Sequence, residues 1–577
     1  MKSAVWIIFA FAALALFFGC SSNSGDDDVN GPSDDDSGHG IDDDSGANID
    51  DDTGNLDDDT NADDDSGDDD TGSNAWNGVS IENVDAPNEL TVNVAFNGDP
   101  GKAAAEDLSV YSIDSSVGSL TLTAAQYNPL TKTVQLTSKK QKLGITYTLI
   151  ITPGENSKEG LTEDFISADT AQFWATDFSS PNFPDYQLTA DRAAVGTYSV
   201  IYIEQGMSAS DVAQAISEFD DKIYPIETNL FTTAPDVDGN GKILMLGLNG
   251  GDYYGGYFTP VNEYSEEQTM QWWGLHSNEM DMIYINVIGG TLNVGIVIPH
   301  EFQHMLYHKR HGFTEPYFDY HDEGLAECAT HAVYGVNSYA ISYYEADPNG
   351  KIGNGMSLVH WEWGVYEHYA VAYLFWTYLA SRLNDVPSYH DIFDLDTGSP
   401  EEVNAFIAAN LLSDFPTVQS SGMLANWIQS LDTIYGYGDM LYFAGHSSPK
   451  VTPGITSLDL EPFGGAFFHL TQQLVNYPGT QGEHIMYIGV DPDDNVDLTA
   501  PFFVNGGVLL VLNANQDYNG WPTEHSGPDL PAQGVKTAAP KALISPAWLD
   551  PPPINPYNLE SLRQWREAAI KRIAEGE

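Results

Sequence analysis

Cysteine is almost missing from this 577-residue chain, which has only Cys20 and Cys328. Two cysteines cannot form a disulfide framework, so the folded parts must be held by ordinary cores and by any ions they bind. Basic residues are nearly as scarce, with 21 Lys and Arg against 84 Asp and Glu and a formal net charge of −63. That balance excludes a nucleic-acid partner, because displacing the counterions of a phosphate backbone takes lysines and arginines. Long apolar runs are lacking too: after Phe18 no stretch approaches the length of a membrane-spanning helix.

The one apolar run, Val5 to Phe18 behind a lone Lys2, has the length and position of a secretion signal. It ends in Gly19-Cys20-Ser21-Ser22, which resembles the processing site of bacterial lipoproteins. On that resemblance residues 1–20 are a lipoprotein signal peptide, and a lipid on Cys20 attaches the mature chain to a membrane. Ser at position 21, rather than Asp, points to the outer membrane or cell surface, so the expected location is extracytoplasmic and lipid-anchored. Cys328 is then an unpaired thiol, read as a small buried apolar residue.

Residues 21–75 contain seven Asp triplets, hence 21 carboxylates, and no Lys or Arg. Such a segment repels itself and has almost nothing apolar to bury, so it is expected to be a disordered tether. At random-coil scaling it separates its ends by roughly 40 Å, more with charge repulsion. Removing its charges from −63 still leaves −42 on the remainder.

A chain that is 42% hydrophobic and 12% aromatic can bury several cores, so a multidomain fold is expected. Residues 76–178 show short alternating runs, such as Leu90-Thr91-Val92-Asn93-Val94 and Thr146 to Ile151, broken by Gly, Pro and Asn. They read as a β-sandwich and resemble bacterial Ig-like domains, with a spacer or docking role. In 182–450 strands at Tyr198–Ile203, Lys242–Leu246 and Met280–Ile285 mix with helices at Ala209–Leu230 and Tyr366–Leu383, which indicates α+β. Residues 455–525 return to β patterning as a small C-terminal β domain, and 526–577 form a Pro-containing tail with a terminal helix.

Chemistry concentrates at His300-Glu301-Phe302-Gln303-His304, followed after eighteen residues by Glu323 in His321-Asp322-Glu323-Gly324-Leu325-Ala326-Glu327. Residues four apart share a helix face, so both imidazoles can reach one ion while Glu301 faces a water bound to it. Zinc in a catalytic site takes three protein ligands and keeps one position open, and His300, His304 and Glu323 supply that set. Glu327, one turn beyond Glu323, is placed to accept the second N–H of a zinc-bound imidazole. A third histidine ligand is not expected: three and six residues after His304 stand Tyr307 and Arg310, not Gly and His. His308 and His311 are expected to be solvated or to back the ligands. The strand Met280–Ile285 is a candidate to pair with an extended substrate.

This combination resembles the gluzincin metallopeptidases, specifically the hyicolysin-like family. The likeness runs from about Ala190 to Leu383 and includes "DVDGNGKILML" at 236–246, "GGYF" at 255–258 and "YAVAYLFWTYL" at 369–379. It implies a zincin-type metallopeptidase domain with Zn²⁺ on His300, His304 and Glu323 and with Glu301 as general base. Related enzymes steady the oxyanion with a Tyr or His from a later helix, and Tyr366, His368 and Tyr369 are the candidates here. Pro299 directly before the first ligand and Asp322 before the third depart from the usual pattern. The expected activity is endopeptidase cleavage of protein or peptide substrates by a monomer. The alternatives are an aminopeptidase, whose Gly-Ala-Met-Glu-Asn segment is absent, and a surface adhesion protein with a degenerate core.

Asp236-Val237-Asp238-Gly239-Asn240-Gly241 resembles the start of an EF-hand calcium loop, which makes Ca²⁺ a second possible cofactor. Its twelfth position is Gly247 rather than Glu, so the reading preferred from sequence is a Gly-rich turn.

Overall fold

The computed structural model describes residues 75–515, apart from 155–159, 179–183, 252–253, 293, 314–317, 363–364, 445, 447, 451–459, 471–483 and 498–506. The expected signal, tether and tail lie outside the described residues.

The first seven strands are β1 (Ile81–Asn88), β2 (Thr91–Phe96), β3 (Tyr111–Ser115), β4 (Leu122–Asn128), β5 (Thr133–Ser138), β6 (Thr146–Ile151) and β7 (Leu161–Ile166). Alternation in the sequence becomes alternation in burial. In β2, Val92, Val94 and Phe96 point inward while Thr91, Asn93 and Ala95 are partly exposed. The β1-β2-β5-β4 layer and the β3-β6-β7 layer thereby enclose one core, with Val92, Val134 and Leu136 facing Ile113, Leu149 and Ile151.

Six further strands are β8 (Thr170–Thr176), β9 (Asp185–Val195), β10 (Ser199–Glu204), β11 (Ile243–Leu248), β12 (Gly256–Phe258) and β13 (Met282–Asn286). The expected boundary at 178–182 falls between β8 and β9, which pair from Thr170↔Asp191 to Thr176↔Asp185. Strand β8 therefore packs Phe173 and Ala175 into the core that follows it rather than into the sandwich. One parallel pairing, Asn88↔Thr170, carries the sheet across, giving the order β12-β13-β11-β10-β9-β8-β1-β2-β5-β4.

Strands β10, β11 and β13 are parallel, and their central residues, Val200–Ile203, Ile243–Leu248 and Met282–Ile285, are predominantly apolar and buried, as expected of strands covered on both faces. Ile201, Ile243, Met245 and Ile283 face the helices, and Val200, Leu244, Leu246 and Met282 face the side of Phe173 and Leu188. The segment expected as one helix over Ala209–Leu230 is two, Val212–Glu218 and Tyr224–Leu230, joined by a π-helical turn at Phe219–Ile223. Pro225 has no N–H for a regular helical ladder, and the wider turn stands directly before it.

Three helices frame the His-rich motif: the motif helix Val297–His311, the ligand helix Asp319–Tyr334 and the aromatic helix Tyr366–Leu383. Four last strands, β14 (Gly465–His469), β15 (Ile485–Val490), β16 (Val496–Asp497) and β17 (Val508–Asn513), form an antiparallel sheet in the order β14-β17-β15-β16. Its inner face packs Phe467, Ile488 and Leu510 on Leu424 and Trp427 of the helix Phe415–Ile428. Among the described residues no helix is long and apolar enough to cross a membrane.

Candidate metal centre

The motif helix starts at Val297, so Pro299 sits in its first turn, where a missing N–H breaks no intrahelical bond. The 3.6-residue period then puts His300 and His304 on one face, Phe302 and Leu306 in the core, and Glu301 toward the sheet edge. The ligand helix crosses close by because Gly324 has no side chain. A Cβ there would lie 2.6 Å from Trp376 Cδ1 and 2.9 Å from Ala372 Cβ of the aromatic helix. That close approach sets Glu323, the preceding residue, over the two imidazoles.

Nε2 of His300 and Nε2 of His304 are 3.1 Å apart. Glu323 Oε2 lies 3.3 Å from the first and 3.2 Å from the second. A tetrahedral zinc with bonds of about 2.0–2.1 Å spaces its ligand atoms by about 3.3 Å, so the triangle has the size the ion requires. Two further observations fit a cation. Glu323 Oε2 is buried, and apart from the two imidazole nitrogens it has no polar partner among the described residues. Nδ1 of His304 meets Asp322 Oδ1 at 2.9 Å, and Nδ1 of His300 faces Glu327 Oε1 at 3.5 Å. With a proton on each Nδ1, both rings turn their Nε2 lone pairs to the same point.

Charge follows that geometry. Burial disfavours a protonated His304, but Asp322 and Glu323 outweigh it and raise its pKa well above the ordinary value. Burial alone would raise Glu323, yet His304 and His300 hold it well below the usual carboxylate range. Burial raises Glu301 despite the opposing pull of His300 and His304, which makes it a stronger base. Strand β12 lies against it: a Cβ on Gly256 would be 3.1 Å from Glu301 Cγ, and the Phe258 backbone N–H favours the carboxylate form.

Glu327 has the place expected of it beside His300, and it is held there by the Tyr366 hydroxyl at 2.7 Å and by the Asn337 side-chain amide. Tyr366 thus commits its hydroxyl to Glu327. Tyr369 stacks on Tyr366 with centroids 5.0 Å apart, and its ring lies 6.1 Å from that of His300. His368 is 3% exposed and packs on Trp361, so it points into the core. Cys328 is fully buried.

Two expectations need correction. Strand β13, the candidate for pairing with substrate, has both edges occupied, by β11 and β12, so β12 holds the free edge. His308 is not solvated: it is buried among Phe258, Tyr264 and Phe313, and burial lowers its pKa to about 4. His311, half-buried, shares its Nε2 with the Phe393 carbonyl at 2.9 Å. The sequence reading also missed Asp322 as the partner of His304. Its one signal was an acid directly beside the expected ligand.

No protein-family profile matches the chain. Over 188 residues it is 30% identical to the neutral metalloprotease ShpI of Staphylococcus hyicus, a match covering 29% of this chain and 41% of that protein. The chain thus spans less than half of that relative's length. Over this stretch it is related to a metalloprotease. Among solved structures it overlaps the N-terminal part of the bacterial S-layer protein SbsC, at 20% identity, 18% of this chain, 26% of that chain and a TM-score of 0.14. A structure of SbsC domains 1-6 gives 21% identity, 17% of this chain, 15% of that chain and a TM-score of 0.15. Overlaps so loose carry no argument.

Proposed function

We propose that this chain is a zinc metalloendopeptidase of the gluzincin kind, and the observation that carries the reading is the triangle formed by Nε2 of His300, Nε2 of His304 and the buried Oε2 of Glu323. These three residues would hold the ion. Zinc there supplies an acidified water and a Lewis acid for the scissile carbonyl. Glu301, buried and raised in pKa, takes the proton of the attacking water and returns it to the leaving amine. Asp322 and Glu327 keep the two imidazoles in the tautomer that presents Nε2. The free edge of β12, beside Glu301, is suited to receive an extended peptide as an added strand. Tyr369, beside His300, is the residue we assign to the oxyanion, since Tyr366 is engaged with Glu327.

The same proposal includes an Ig-like module in the first seven strands and a lipid at Cys20, with the Asp-rich segment holding the enzyme off an outer membrane. Its support is the sequence pattern given above. A peptide blocked at both ends separates endopeptidase from aminopeptidase: it should be cut in mid-chain. Tyr369→Phe should lose about 10²–10³ in kcat with little change in KM. If Tyr366→Phe shows the larger kcat loss instead, the oxyanion assignment is wrong.

A further inference from the structure

The second cluster of acids lies away from the His-rich site, at the start of β11 and β13, where carboxylate oxygens of Asp236, Asp238 and Asp281 all fall within 4.8 Å of one another. Asp236 and Asp238 come from the Asp-x-Asp-x-Asn-Gly loop that leads into β11. Asp281, about forty residues later, stands directly before β13 and is 1% exposed. Its Oδ2 accepts the Val237 N–H at 2.7 Å, while its Oδ1 is buried and has no hydrogen-bond partner among the described residues. An unpaired carboxylate oxygen in the interior is costly, and here it stands among two further acids.

We propose that this cluster is a calcium site, with Asp281 supplying the acidic ligand that the loop's own twelfth position, Gly247, cannot. The donor set is all oxygen and flexible, three carboxylates with the other positions left to water and main-chain carbonyls, which suits Ca²⁺ better than the smaller and stricter Mg²⁺. The loop is already folded to receive an ion, since Asp236 Oδ1 accepts from Gly241 N at 2.9 Å, Asp238 Oδ1 from Asn240 N at 3.0 Å and Asn240 Oδ1 from Lys242 N at 2.6 Å. Lys142 reaches the loop at the Gly239 carbonyl, 3.0 Å away, and offsets one of the three negative charges. Burial, together with repulsion inside the cluster, pushes Asp238 up to about 7 and Asp281 up to about 6, a cost that a divalent ion removes. Asn240 donates to the Leu143 carbonyl at 3.3 Å, so the loop also touches the connection between β5 and β6. Calcium here would fasten the sandwich to the following sheet.

Terbium luminescence of the full chain, excited through tyrosine, tests the proposal without relying on catalysis. Tyr147 and Tyr224 lie close enough to feel the charges of this cluster, whereas residues 21–75 contain no aromatic residue to sensitise an ion bound there. The expected result is a saturable signal displaced by Ca²⁺ and at least tenfold less readily by Mg²⁺. Asp281→Asn should abolish it. Asp236→Asn, an exposed change that spares the fold, should weaken it tenfold or more, and Ca²⁺ should raise the thermal midpoint of wild type but not of Asp281→Asn. Equal displacement by Mg²⁺, or a wild-type terbium affinity in Asp236→Asn, overturns the proposal.

Discussion

Replacing Gly324 by Ala pits two known effects against each other at the point where the ligand helix meets the aromatic helix. Removing a glycine from a helix interior favours the helix by about 0.5–1 kcal/mol. The added methyl, however, meets Trp376 Cδ1 at 2.6 Å, Nε1 at 2.8 Å and Ala372 Cβ at 2.9 Å. Trp376 cannot swing aside: it is fully buried, stacks on Tyr320 and donates its N–H to the Tyr320 carbonyl at 2.7 Å. Restoring an ordinary carbon–carbon separation of about 3.5–4.0 Å moves the helices apart by about 1 Å. Such overpacking costs about 1–3 kcal/mol, so against the helix gain the net effect is a loss of up to about 2.5 kcal/mol, and Glu323 is carried away from the imidazoles. Two assays on the full chain report this, the thermal midpoint of zinc-free protein and zinc affinity by chelator competition. Both should fall. A variant that is more stable than wild type and binds zinc equally well would show that the close helix approach does not position Glu323.

Other outcomes follow from the same structure. Asp322→Ala removes the acceptor that fixes the His304 ring and should weaken zinc binding about 10–100-fold in the same competition assay; unchanged affinity contradicts the role. His331 is 5% exposed with Nδ1 at 2.8 Å from the Tyr373 hydroxyl, and burial lowers its pKa from 6.5 to about 4. The unfolded chain therefore binds a proton that the folded chain refuses: stability is intact above pH 6.5 and is lost as pH falls toward 4, by up to about 1.4 kcal/mol per unit. Urea midpoints across that window should fall less steeply for His331→Gln, and an identical slope counts against the assignment.

The features legible in the sequence are those set by local periodicity. The aromatic helix, Tyr366–Leu383, lies where the sequence indicates a helical region, and the largely apolar runs at β11 and β13 are the strands buried on both faces. His300 and His304 come together because four residues make one helical turn, which needs no knowledge of the rest of the fold. Long-range pairing was hidden. Strand β12 spans only Gly256–Phe258, too short to announce itself, yet it takes the sheet edge that the longer β13 was expected to offer. Strand β8 alternates like its neighbours in the sandwich, and only its pairing with β9 shows where it packs. Asp281 is one acid in a very acidic chain, and its burial against the Asp236 loop has no local signature. Tyr366 and Tyr369 are equivalent by spacing; a hydrogen bond to Glu327 separates them.

The central claim is that His300, His304 and Glu323 hold a zinc ion against which Glu301 works. Metal analysis of the chelator-washed, zinc-reconstituted chain, run beside cleavage of a quenched blocked peptide, tests it most directly. One zinc per chain is expected in wild type and in Glu301→Gln, with cleavage only in wild type, and that zinc should vanish in His304→Ala. Zinc retained by His304→Ala, or cleavage by Glu301→Gln, contradicts the account.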